Sequence, residues 1–255
     1  MNQTQTTSSV MKETAIKQAP IKQAPIKQAL LIAGATGLVG KAVLKAALAD
    51  PNTDHVYALL RRPLDIEDAK FTPWISDDLT PPELSANDIA PTVGVIALGT
   101  TIKKAGSKAN LRRIDVDLVV NTATHMQTLG VKHLIIVSCL GANSKAMSHY
   151  LRCKGEMEQA VEALGVERVT FLHPGPLAGD REEHRQDEKW LQATMKWVKP
   201  LMVGRLKNYL PIEANTVAKA VMAQIQTAHA ASVERLDSIA MTALAMTALA
   251  DGQSD

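Results

Sequence analysis

The 255 residues carry 28 Lys and Arg against 26 Asp and Glu, a net charge of +2, with 46 % hydrophobic and only 3 % aromatic side chains. That length fits one α/β domain, and balanced charge with few stacking rings argues against a nucleic-acid-coating surface. No apolar run approaches the roughly eighteen residues of a membrane span, and Cys139 and Cys153 form neither a disulfide framework nor a metal-ligand spacing. The composition therefore predicts a soluble, cytoplasmic protein with no membrane, nucleic-acid or metal partner.

In chain order, residues 1–26 read as a disordered, low-complexity tail. Ile16–Pro20 (IKQAP) repeats as Ile21–Pro25, and the two prolines break helix. The stretch is rich in Thr, Gln and Lys and has no apolar segment of the secretory kind. Residues 27–232 then alternate β-type and helical segments. Gln28–Ala33 reads as a strand and Leu38–Ala49 as a helix stopped by Asp50-Pro51. His55–Leu60, a weaker Phe71–Ile75, Thr92–Leu98, Val131–Val137 and Val169–Leu172 supply five more strands. Helices fall within Leu111–Leu129 and Tyr150–Leu164, and further ones at 186–198 and 214–230 form a small helical substrate region. Residues 233–255, where AMTAL occurs twice, are expected to be a tail or an extended terminal helix. Apolar strands separated by long helices imply a doubly wound, Rossmann-type parallel sheet.

Between the first strand and first helix stands Gly34-Ala35-Thr36-Gly37-Leu38-Val39-Gly40. A glycine-rich turn in that position lets the backbone approach a pyrophosphate while the helix start presents unpaired N–H groups to the anion. The second strand ends in Leu60-Arg61-Arg62. A carboxylate there would bind the ribose 2′-hydroxyl of NAD, whereas two guanidinium groups suit a 2′-phosphate. NADP(H) is accordingly preferred over NAD(H).

Tyr150-Leu151-Arg152-Cys153-Lys154 sets a phenol and an ammonium one helical turn apart. A nearby cation favours phenolate, which suits proton transfer to a carbonyl oxygen near neutral pH. Ser138 ends the preceding strand, twelve residues upstream, with a hydroxyl able to bond the same oxygen. Cys153 inside the turn and Cys139 beside Ser138 read as quiet reduced thiols. The charged run Asp180–Arg185 and the lysines Lys103 and Lys104 read as solvated loop residues.

The segments LLIAGATGLVG (30–40), IALGTTIKKAGS (96–107), IIVSCLGANSKAMSHYLRCKGEMEQAV (135–161), HPGPLAGDREEHR (173–185) and IEANTVAKAV (212–221) occur in one order. In these the chain resembles the atypical short-chain dehydrogenase/reductase superfamily, and within it the Tat-interacting-protein-like oxidoreductases. The resemblance implies that Gly34, Thr36, Gly37, Leu38 and Val39 hold the pyrophosphate, that Arg61 lies beside the adenine ribose, and that Leu98, Gly99 and Thr100 line the cofactor. It makes Tyr150 the proton donor and Lys154 the holder of the nicotinamide ribose. Two departures stand out: Ser138-Cys139 replaces a usual Ser-Ser pair, so that Cys139 occupies the working place if the second serine is the one used, and His173-Pro174-Gly175 replaces an expected Arg-Pro-Gly.

These residues predict an NADPH-dependent reductase of a small carbonyl-bearing substrate, with Tyr150, Lys154 and Ser138 as catalytic residues. A non-catalytic NADP(H)-sensing protein is the alternative, and the sequence leaves a protein partner or a homo-oligomer open. Nucleotide-sugar epimerisation fits less well, because little chain follows the sixth strand.

Overall fold

A computed structural model describes residues 28–178, 204–227 and 231–251. Among the described residues nine strands run in chain order as β1 (Gln28–Ala33), β2 (Thr53–Leu60), β3 (Phe71–Ile75), β4 (Val93–Ile96), β5 (His133–Val137), β6 (Arg168–His173), β7 (Leu177–Ala178), β8 (Ile212–Glu213) and β9 (Val233–Asp237). Seven form a parallel sheet in the order β3-β2-β1-β4-β5-β6-β9. The helices are α1 (Leu38–Ala49), α2 (Ile102–Ala105), α3 (Lys108–Arg112), α4 (Val119–Thr128), α5 (His149–Glu162), α6 (Ala214–Gln226) and α7 (Ser238–Asp251), with a π-helical turn, Arg113–Leu118, joining α3 to α4.

Strand residues alternate between two cores, as a pleated sheet covered on both faces requires. Leu30 and Ile32 of β1 face α1, α6 and α7 through Val43, Val221 and Met241. Ala29, Leu31 and Ala33 face the opposite layer, built from Met126 of α4, Met157 of α5 and Phe171 of β6. The doubly wound expectation therefore holds.

The chain reverses its winding direction between β1 and β4. At such a switch point the loops beyond the carboxyl ends of the two strands diverge and open a crevice. Gly34 has φ +88°, and a Cβ there would lie 2.7 Å from the Ala97 carbonyl carbon and oxygen, so the loops after β1 and β4 meet backbone to backbone. A Cβ on Gly40 would come 2.1 Å from Gly34 O, which leaves only glycine compatible with α1 packed this close to its own turn.

Of the expected tail 233–255, the described residues 233–251 are structured. Val233–Asp237 pairs in parallel with β6 along the sheet edge, from Val169↔Val233 to His173↔Asp237. Ser238–Asp251 is helical, and the first AMTAL unit with its successor supplies Met241 and Ala245 to the core. The sequence VERLD carries three charges and no apolar run, a pattern typical of an edge strand and easily read as loop. The expected tail 1–26, the charged run 180–185 and the expected helix at 186–198 lie outside the described residues.

Candidate functional site

A cleft of about 1310 Å³ opens at the switch point. Thr36, Gly37, Leu38 and Val39 of the glycine turn line one wall, and Leu98, Gly99 and Thr100 line the loop after β4. Ser138, Tyr150 and Lys154 complete the wall formed by β5 and α5. Pro174–Ala178, held against Ile212–Glu213 by the short β7–β8 pair, closes the far side.

The residues present fit a dinucleotide pyrophosphate. Gly37, the N-cap of α1, has no side chain to satisfy the first-turn N–H groups, which therefore remain available beside the cleft. Only the N–H of Gly37 itself is engaged, donating to Gly34 O at 3.0 Å to close the turn. Gly34 lies under that turn rather than in the lining. Arg61 and Arg62 are exposed just past β2 and also lie outside the lining.

Helix α5 presents three groups in succession on one face, since Tyr150, Lys154 and Glu158 are spaced four apart. Tyr150 is 37 % exposed at the cleft. Its hydroxyl hydrogen-bonds the Cys139 side chain; burial pushes that thiol up, while the Lys154 charge and the Tyr150 bond pull it part of the way back. Burial likewise pushes the Cys153 thiol up, so neither cysteine is set to be a thiolate. The Lys154 ammonium lies 2.8 Å from Asp115 Oδ1 and donates to Val137 O at 3.5 Å.

Ser138 is 4 % exposed, and its hydroxyl donates to Glu158 Oε1 inside the protein. The same carboxylate binds His173 Nε2 at 2.8 Å and accepts from Arg235 Nε at 3.1 Å. Successive residues leave a strand end in different directions, so with Ser138 engaged by Glu158 it is Cys139 that meets Tyr150. Ser138 lines the cleft, and its hydroxyl bond to Glu158 ties the loop after β5 to α5.

Two buried carboxylates beside the cleft escaped the sequence reading. Asp115 sits in the π-helical turn, fully buried, with Oδ2 accepting the Thr100 N–H at 2.9 Å. Glu158 could have been found, because it extends the Tyr150–Lys154 spacing by one more turn. Among the described residues there is no group of three or more metal-ligating side chains.

The family model described as NAD(P)H-binding matches residues 34–199. Protein fmp52 of Emericella nidulans is 37 % identical over 161 residues, covering 61 % of this chain and 69 % of the relative. Protein fmp52-1 of Aspergillus oryzae is 34 % identical over 194 residues, covering 74 % and 82 %. Among solved structures, a short chain dehydrogenase from Burkholderia cenocepacia in complex with NADP aligns with a TM-score of 0.56 at 14 % identity, over 90 % of this chain and 95 % of that one. Human epimerase family protein SDR39U1 with NADPH aligns at 0.53 and 14 % identity, over 82 % and 74 %. Identities this low establish the fold alone. Both fungal proteins are named mitochondrial, which overturns the cytoplasmic expectation. Unpaired cysteines separate reducing from oxidising surroundings and do not tell one reducing compartment from another. On the family model and the fungal relatives together, the chain belongs to the NAD(P)H-binding family.

Proposed function

We propose that the protein is an NADPH-dependent reductase of a small carbonyl-bearing substrate, with Tyr150 as the proton donor. The observation that carries this reading is the convergence of the Tyr150 phenol and the Lys154 ammonium on a cleft whose opposite wall is an uncapped glycine turn. Thr36–Val39 would hold the pyrophosphate, Leu98–Thr100 would flank the ribose and nicotinamide, and Lys154 would donate to the nicotinamide ribose. NADPH bound there supplies the hydride. Tyr150 donates its proton to the oxygen of the reacting carbonyl, and the cation one turn away keeps the phenol acidic enough to do so. Cys139, bonded to Tyr150, forms the floor on which the carbonyl rests. Arg61 and Arg62, exposed past β2, would clamp the 2′-phosphate and set the preference for NADPH over NADH.

The test is NADPH oxidation, followed by absorbance, across a panel of aldehydes, ketones and quinones. Turnover that disappears in Tyr150→Phe with NADPH affinity retained supports the reading. Tight NADPH binding with no oxidation by any member of a broad panel would replace it with a cofactor-sensing role.

A further inference from the structure

At the end of the sheet away from the cleft, His133 and Arg168 stand side by side as the first residues of β5 and β6. His133 is 5 % exposed. Its Nδ1 lies 2.6 Å from Arg168 Nη2, and its Nε2 lies 2.9 Å from Thr170 Oγ1. A guanidinium carries donors and no acceptor. Nδ1 must therefore accept, which leaves the single ring proton on Nε2, donated to Thr170. The bond to Arg168 exists only while the imidazole is uncharged.

Arg168 passes this hold on to the C-terminal segment. Nη2 also donates to Gln224 O at 3.2 Å and Nη1 to Thr227 O at 3.4 Å, at the C-terminal end of α6. Carbonyls of a last helical turn lack partners within the helix, and a cation there complements the dipole. Gln224 Nε2 donates to Glu234 of β9 at 3.2 Å, so one corner joins β5, β6, α6 and β9. The other end of α6 lies in the cleft wall, where Ala214 and Asn215 line the opening.

We propose that His133 is an acid-released latch: uncharged, it seats Arg168 against the end of α6, and on protonation it expels Arg168 and frees that end together with β9. Burial already disfavours the Arg168 charge, while Glu234 of β9 and Glu167 before β6 favour it. Those two acids offset one cation; a protonated ring would add a second and remove an acceptor. Lys132, next to His133 in the chain, is a further cation. From α6 come the uncharged Gln224 and backbone carbonyls, and from β4 the apolar Val93 beside His133. The open form takes up the proton that the latched form refuses, so acid favours opening. Opening sets in as pH falls below about 6.5, the ordinary value for histidine. Glu158 titrates lower, below 4.5, and leaves this window clear.

The test is amide hydrogen exchange at pH 7.5 and 5.5, expressed as protection factors at residues 224–227 and 233–237 with β1 as reference. Protection at the two segments should fall about tenfold, the protonation ratio of an ordinary histidine one unit below its pKa, with β1 unchanged. His133→Gln keeps an acceptor for Arg168 and takes up no proton, so the step should vanish. NMR titration of the imidazoles decides the matter even if that variant fails to fold. His133, identified among the seven histidines by its proximity to Thr170, should carry its proton on Nε2 and titrate about one pH unit or more below 6.5. Arg168→Gln should raise that titration toward 6.5. An equal step in His133→Gln, no step in the unmutated protein, or a His133 titrating at or above 6.5 overturns the proposal. Neither NADPH nor substrate enters the measurement, so its outcome stands apart from the reductase reading.

Discussion

The Ser138 hydroxyl donates to Glu158, a residue two turns beyond Tyr150 on the same face of α5. The bond joins the loop after β5 to the helix that carries Tyr150, and it engages the hydroxyl proton. Ser138→Ala should therefore act on stability, lowering it by about 1–3 kcal/mol by leaving a buried acceptor short of a donor. Cys139→Ser, in contrast, keeps a group against Tyr150 and replaces a weak donor with a stronger one. Its turnover should equal or exceed that of the unmutated protein. Thermal melting and steady-state kinetics on the two variants check the assignment, and a large loss of turnover in Ser138→Ala with unchanged melting would reverse it.

Glu158 gives the fold a pH dependence with a definite sign. Burial pushes its carboxyl up, but hydrogen bonds from His173, Ser138 and Arg235 and the charge of His173 outweigh burial, leaving it below the ordinary 4.5. A carboxyl depressed in the folded state adds stability that is fully present above its unfolded value and is lost as pH falls through the folded one. Stability should thus decline as the pH drops below about 4.5, and Glu158→Gln should flatten that part of the curve while lowering stability at neutral pH. Urea denaturation from pH 3 to 7 on both proteins provides the comparison; parallel curves would show that the acid loss originates elsewhere.

Tyr150→Phe keeps the ring and removes the transferable proton. Turnover should drop by about 10²–10⁴-fold, the usual worth of general acid catalysis, with NADPH affinity by calorimetry nearly unchanged. Lys154→Met should weaken both, since it deletes the expected ribose contact along with the charge near the phenol. Equal losses of affinity in the two variants would place Tyr150 in cofactor binding instead.

The proposed preference for NADPH would rest on side chains that do not line the cleft. Arg61 and Arg62 stand exposed past β2, at the end where an adenine ribose is held in folds of this winding. Replacing both by Ala should narrow the gap between NADPH and NADH affinities by about 1–3 kcal/mol, the scale of charge-assisted hydrogen bonds. Equal affinities for the two cofactors in the unmutated protein would remove these arginines from the site.

Much of the fold was legible because its signals are periodic. The Leu38–Ala49 helix and the strands Gln28–Ala33 and Phe71–Ile75 have the expected bounds, set by apolar runs and by Gly34 and Pro51 as punctuation. The glycine turn and Tyr150–Lys154 were readable because spacing alone determines their shared faces. Asp115 was not, since a π-helical turn shifts the register of every following side chain and a 3.6-residue period cannot anticipate it. The position of Ser138 at a strand end was evident too, but the partner of its hydroxyl was not, since it depends on Glu158, twenty positions away. β9 was missed because its five residues carry three charges and gain their place from β6 and α7, not from a pattern of their own.

That last element yields a test of how much the C-terminal segment contributes. β9 covers the open edge of β6, Leu236 and Met241 are 5 % and 0 % exposed, and Arg235 reaches back to Glu158 while stacking 5.2 Å above the centre of the Phe171 ring. Asn208 ties the segment further, donating to Asp237 Oδ2 at 2.8 Å and accepting the Ile239 N–H at 3.0 Å. Ending the chain after residue 232 removes all of these at once. It exposes the β6 edge, leaves Glu158 short of a donor and uncovers the α6 face that α7 packs on. Burying two large side chains contributes about 1.5–3 kcal/mol each, so these two alone rival a sizeable part of the roughly 5–15 kcal/mol that holds a typical domain folded. The truncated protein should therefore be insoluble or melt at least ten degrees lower, whereas a dispensable tail would leave the melting temperature unchanged. Arg235→Ala isolates the polar part: it should lower stability modestly at neutral pH and flatten the loss at acid pH, because one of the contacts that hold the Glu158 carboxyl low is gone. Retention of full stability by the truncated chain would show that the sheet is complete at β6.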